Sequence, residues 1–117
     1  MKAVVTGGAG FIGSHLVDAL LKENIDVTVL DNFSTGRPEN LDHVWKKIKL
    51  VECDLAVQGK WNKEFSNVDW VLHLAALADI VPSIQRPEAY FRANVDGTFN
   101  VLQAAKTMGV KRFIYIA

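Results

Sequence analysis

The chain has 117 residues, half of them apolar, and 13 basic residues balance 13 acidic ones, so it carries no net charge. That length bounds it to one domain; the apolar share supplies a core and excludes disorder, and the charge balance excludes a basic nucleic-acid-binding surface. Cys53 is the only cysteine, which excludes an intrachain disulfide and a cysteine zinc cluster; with no signal-peptide pattern and no apolar stretch of membrane-span length, a cytoplasmic setting without membrane or nucleic-acid partners is expected.

The sequence opens on an apolar β run, residues 3–6, and passes directly into Gly7-Gly8-Ala9-Gly10-Phe11-Ile12-Gly13. A helix is expected over 11–23, its apolar face formed by Ile12, Leu16, Ala19 and Leu20. Strand, glycine turn and helix form the context that a dinucleotide fingerprint requires. Gly8, Gly10 and Gly13 fit G-x-G-x-x-G, and Thr6, Gly7, Gly10 and Gly13 fit T-G-x-x-G-x-x-G. The glycines let the chain turn tightly, approach a pyrophosphate and pack helix on strand, while the helix N-terminus offers free N–H groups to a diphosphate. A P-loop is excluded, because Ser14 stands where that motif needs lysine.

Asn24 suits the end of this helix. A second strand is expected over 26–31, ending at Asp31, about 20 residues beyond the last glycine, where the fingerprint expects an acid. A carboxylate there accepts hydrogen bonds from ribose hydroxyls and repels a 2′-phosphate, which favours NAD over NADP. Residues 32–38, rich in Ser, Gly and Pro, read as a loop. A short helix is expected over 39–47, with Leu41, Val44 and Trp45 inward. A third strand covers 48–54, with Cys53 as a buried apolar strand residue.

A short helix or turn carrying Trp61 and Phe65 is expected over 59–67, and a fourth strand over 68–76. The near-continuous apolar character of this strand suits a central parallel position covered on both faces. His73 inside it is expected as a hydrogen-bonded core histidine. Residues 77–87 read as a loop punctuated by Pro82 and Pro87. The longest helical pattern, 88–108, lines up Phe91, Val95, Thr98, Leu102 and Ala105 along one face, with Gly109 at its end. A fifth strand covers 111–117. Alternation of strand and helix argues a doubly wound parallel α/β sheet of Rossmann type in the order 3-2-1-4-5, with its ligand crevice at the carboxyl ends of strands 1 and 4.

The segments TGGAGFIGSHL, LDNFSTG, ECDL, VLHLAALA and FRANVDGTFNVLQAAKTMGVKRFIYIA resemble the extended short-chain dehydrogenase/reductases. Within these, the chain is most similar to the NAD-dependent sugar-nucleotide epimerases and dehydratases of the UDP-glucose 4-epimerase kind, over essentially its whole length. The resemblance implies that Gly7, Gly10, Phe11, Ile12 and Gly13 line the pyrophosphate. It implies that Asp31 and Asn32 hold the adenosine ribose, with Ser34, Thr35 and Gly36 nearby, and that Asp54 and Leu55 meet the adenine. Leu74, Ala75, Ala76 and Ala78 would pass along the nicotinamide half, and Asn94 would support that side.

The family's chemistry also needs a Ser or Thr after strand 5 and a Tyr-x-x-x-Lys pair. Tyr90 and Tyr115 are the only tyrosines; Asn94 stands four residues after Tyr90, and the sequence ends before that place after Tyr115. The expectation is an NAD-binding N-terminal part, residues 1–117, that holds cofactor without catalysing and meets a nucleotide sugar only in a complete enzyme. A stand-alone NAD-responsive regulatory or assembly module is the rival reading. Strand 5, apolar on both faces, is expected to self-associate through its edge.

Overall fold

The structure is a computed structural model, described here over residues 1–116. Five strands, β1 (Lys2–Thr6), β2 (Asp26–Asp31), β3 (Ile48–Glu52), β4 (Trp70–His73) and β5 (Arg112–Tyr115), form one sheet in the order β3-β2-β1-β4-β5. Every neighbouring pair is parallel, with Val5 facing Val29 on one side and Leu72 on the other. The order and the parallel pairing agree with the expectation.

Alternate residues of each strand enter two cores. Ala3, Val5, Val27, Val29 and Leu72 pack with Val17 and Leu20 of α1 (Phe11–Lys22), and Ile114 leans on that cluster. Val4, Leu30 and Val71 pack with Trp61 and Phe65 and with Val101, Ala104 and Ala105 of α4 (Gly97–Thr107), and Phe113 leans there. The central strands β1, β2 and β4 are largely apolar on both faces because both faces are covered, whereas β3 at the edge is mostly exposed. Among the described residues no helix is long and apolar enough to cross a membrane.

Several elements differ from the sequence reading. The inward line of α1 is Gly13, Ser14, Val17 and Leu20, whereas Ile12 is 65% exposed and Ala19 is also outside. The cause is Gly13: a Cβ there would collide with the Gly7 carbonyl oxygen, so the helix closes on the turn along its glycine line. Residues 39–47 form two 3-10 turns, Pro38–Leu41 and Trp45–Lys47, rather than one helix. Their tighter winding buries Leu41 and Val44 three apart and turns Trp45 out, 60% exposed, with Lys46 Nζ 5.5 Å from its ring centre. Trp45 is therefore not a core residue.

β3 stops at Glu52, so Cys53 is half-buried just beyond the strand. β4 stops at His73, short of Ala76. The stretch read as a loop over 77–87 contains helix α2 (Ile80–Gln85), which runs up to α3 (Pro87–Phe91). A π turn, Arg92–Asp96, joins α3 to α4 in one continuous helical rod. The buried face of that rod is Gly97, Val101, Ala104 and Ala105; Phe91, Val95 and Leu102 of the expected face lie outside. The wide turn breaks the 3.6-residue period on which the expectation rested. Asn24 and Gly109 end their helices with positive φ, as the sequence suggests.

Candidate functional site

All five strands point their carboxyl ends to one side, and the crevice opens there, between the glycine turn, the ends of β2, β3 and β4, and α3 with its π turn. It encloses about 270 Å³. Gly7, Gly10, Asp31, Asn32, Ser34, Thr35, Gly36, Asp54, Leu55, Leu74, Ala75 and Ala76 all line it. These expected residues come from four separate stretches of chain, and the parallel topology alone brings them together.

The glycine turn is tight because Gly7 takes φ +72°, and a Cβ at Gly7 would stand 2.8 Å from the Ala75 nitrogen. Gly10 is different: a Cβ there would meet only the Gly7 oxygen, at 3.3 Å, so its missing side chain leaves room on the crevice side. The first hydrogen bond of α1 runs from the Ser14 N–H to the Gly10 carbonyl at 2.9 Å. The N–H groups of Phe11, Ile12 and Gly13 precede it and meet no backbone acceptor among the described residues, and no side chain caps the helix. The side chains of Phe11 and Ile12 point to solvent, 77% and 65% exposed. Neither these two residues nor Gly13 forms part of the crevice lining, so anything they offer there is backbone.

Asp31 is buried and both its oxygens are engaged. Oδ2 accepts the Ala9 N–H at 2.9 Å and Oδ1 accepts the Phe33 N–H at 2.8 Å. Asp54 accepts the Ala56 N–H at 3.0 Å through Oδ1 and Arg92 Nη1 at 2.8 Å through Oδ2. Arg92 is the one cationic side chain among the described residues that line the crevice. Asn94 does not reach the crevice. Its Oδ1 accepts the Leu77 N–H and its Nδ2 donates to the Leu77 carbonyl, each at 2.8 Å, so it clasps the chain leaving β4. It lines a second cavity of about 150 Å³ beside His73, Thr98 and Tyr115. Ala78 lies outside both cavities, exposed.

Sequence reasoning missed Cys53, Ala56, Leu77, Ala89, Arg92 and Ala93 among the lining residues. The last three arrive through α3 and the π turn, which leave no mark in the hydrophobic period. Burial, then the charges of Asp31, Asp54 and Glu64, push the Cys53 thiol up to about 11, which keeps it protonated and unreactive. His73 is buried, as expected, and bonded through both ring nitrogens; burial pulls it down to about 4 and keeps it neutral.

This arrangement suits a ligand with a diphosphate at the helix start and hydroxyl donors near Asp31. Residues 3–117 match the NAD dependent epimerase/dehydratase family. UDP-glucose 4-epimerase of Pasteurella multocida is 37% identical over 98% of this chain and 36% of its own length. UDP-glucuronic acid decarboxylase 1 of Arabidopsis thaliana is 41% identical over 95% of this chain and 25% of its own. A UDP-glucose 4-epimerase of Thermus thermophilus, solved in complex with NAD, superposes with a TM-score of 0.88 at 38% identity, over 97% of this chain and 36% of that one. The chain thus spans about a third or less of these relatives. With residues 3–117 matched by the family model, the chain belongs to the NAD dependent epimerase/dehydratase family.

Proposed function

We propose that this chain is the NAD-binding part of an enzyme that remodels nucleotide sugars. The observation that carries the reading is the meeting of Gly7, Gly10 and Asp31 at one crevice, with the unclaimed N–H groups of Phe11–Gly13 following directly after Gly10 in the chain. Those N–H groups, with Gly7 and Gly10, suit the diphosphate. Asp31 keeps lone pairs for ribose hydroxyls, with Asn32, Ser34, Thr35 and Gly36 beside it. Asp54 and Leu55 face the base, and Leu74, Ala75 and Ala76 run toward the nicotinamide half, with Ala78 and Asn94 supporting that side. The two relatives, a UDP-glucose 4-epimerase and a UDP-glucuronic acid decarboxylase, share UDP-sugar chemistry, which supports the substrate class.

Bound NAD would supply a reversible hydride acceptor; the residues lining the crevice would hold and orient it. Since the sequence holds no Tyr-x-x-x-Lys, the chain by itself would bind cofactor without turning over a sugar. We further propose a cytoplasmic setting and contact with a second copy through the β5 edge.

Calorimetric titration with NAD and NADP tests the reading. Micromolar NAD binding that exceeds NADP binding, and that Gly10→Val abolishes while the circular dichroism stays native, is the expected result. Equal or tighter NADP binding, or unchanged NAD affinity in Gly10→Val, overturns it. Any conversion of a UDP-sugar by this chain alone overturns the non-catalytic part.

A further inference from the structure

The β1–β4 ladder ends at the pair Thr6 and His73. Beyond it the two backbones diverge to form the crevice, and side chains take over the hydrogen bonding. Thr6 Oγ1 accepts the N–H of Leu74 and that of Ala75, each at 3.1 Å; the Leu74 N–H is shared with the Thr6 carbonyl, also at 3.1 Å. Both acceptor sites of the hydroxyl are then occupied, and only its own proton remains to be donated. That proton faces His73 Nδ1 at 2.7 Å.

A ring nitrogen that accepts carries no hydrogen, so Nδ1 is bare and the proton of the neutral ring sits on Nε2. There it donates to Thr98 Oγ1 at 2.9 Å. The assignment follows from counting donors and acceptors, and it gives the chain one direction: backbone N–H to Thr6, Thr6 to His73, His73 to Thr98. Thr6 and His73 are fully buried. The chain ties the last residues of β1 and β4 to α4, with no water needed to complete it.

We propose that His73 is a positioning residue for the crevice floor. By fixing the direction of the Thr6 hydroxyl it holds Leu74 and Ala75 against Gly7, where there is no room even for a methyl group. Leu74, Ala75 and Gly7 all line the crevice, so the chain sets the floor on which a dinucleotide would lie. The inference rests on the NAD reading above for its ligand, but not for its geometry.

Three variants test it: Thr6→Ser, which keeps the hydroxyl; Thr6→Val, which keeps the shape and removes it; and Thr98→Val, which removes the far acceptor. NAD affinity is measured by calorimetry, folding by thermal unfolding, and the His73 tautomer by nitrogen-15 shifts of the ring. The wild-type ring should be neutral with its proton on Nε2. Thr6→Ser should bind within about twofold of wild type, Thr6→Val should lose about 10- to 100-fold, and Thr98→Val about 3- to 10-fold. A folded Thr6→Val that binds like wild type overturns the proposal, as does a ring protonated on Nδ1. Should Thr6→Val not fold, unchanged affinity and ring shifts in Thr98→Val overturn it. Should wild type not bind NAD, the functional reading fails separately. The floor is then judged by hydrogen exchange at the Leu74 and Ala75 amides, which Thr98→Val must quicken and Thr6→Ser must not.

Discussion

The Oδ2 of Asp31 accepts the backbone N–H of Ala9 at 2.9 Å, so the acid that ends β2 is built into the turn between β1 and α1. One carboxylate thereby shapes the glycine turn and, in the proposed function, selects the ribose. Asp31→Asn keeps one acceptor oxygen for the turn and loses the charge; Asp31→Ala loses both bonds. A hydrogen bond to a charged group contributes about 1.5–3 kcal/mol, about 10- to 150-fold in affinity. Asp31→Asn is expected to lose about that factor for NAD and to narrow the preference over NADP. Asp31→Ala should lose more and also melt earlier, because the buried Ala9 N–H is left without a partner. Calorimetry with both dinucleotides and a melting curve for each variant check this.

Cys53 lines the crevice with its thiol pushed up to about 11. At pH 8 about one thiol in a thousand would be ionised, against roughly a quarter of an ordinary cysteine. Alkylation by iodoacetamide should therefore run about two orders of magnitude slower than with a free thiol. Saturating NAD should slow it further by covering the crevice. Mass spectrometry over a time course reads both effects, and a fast reaction indifferent to NAD would contradict them.

The pH dependence of stability follows from His73. Its folded value, about 4, lies below the ordinary 6.5, so between these values the unfolded chain holds the extra proton. Stability from this group is fully present above about pH 6.5, falls as the pH drops, and is lost below about pH 4. From pH 7 to pH 5 the loss should approach about 2 kcal/mol at 1.36 kcal/mol per unit. Urea unfolding at the two values measures it, and His73→Gln should flatten the difference.

Glu64 is buried, and its Oε1 meets Lys49 Nζ at 2.8 Å from the exposed side of β3. Lys49→Met would leave this carboxylate without its cation. A cost of about 1–3 kcal/mol is expected, and pairing the change with Glu64→Gln should recover most of it. Denaturant midpoints of the single and double variants give the coupling.

Among the described residues β5 pairs only with β4, and Tyr115 on this edge strand is 57% exposed. Such an edge pairs with another chain unless charge blocks it. Sedimentation at micromolar concentration is expected to show dimers, with Tyr115→Lys shifting the profile toward monomer. Ile114 is a poor choice for this test, because it leans on the core beneath α1.

The sheet order and most of the crevice were legible in the sequence because they are written locally. Apolar runs ended by Thr6 and Asp31 mark strands, glycines mark the turn, and parallel connection then dictates where the ends meet. The buried face of α4 was not legible, because a π turn before it changes the helical period without a compositional signal. Trp45 misled for a related reason: 3-10 winding puts Leu41 and Val44 on one line and a neighbour of Val44 outside. Arg92 was hidden because its partner, Asp54, belongs to another strand end, and only the folded rod brings the two within 2.8 Å. Asn94 came from the resemblance, and its clasp on Leu77 gives that position a mechanical reason.

The π turn at Arg92–Asp96 has the arithmetic of a one-residue insertion into an otherwise uniform helix. Deleting a residue there would restore the ordinary winding and rotate everything before it by about 100°. Arg92 would swing off Asp54, while Gly97, Val101 and Ala104 stayed seated on the sheet. A single rod thus carries two independently phased faces, one locked to the core and one aimed at the ligand.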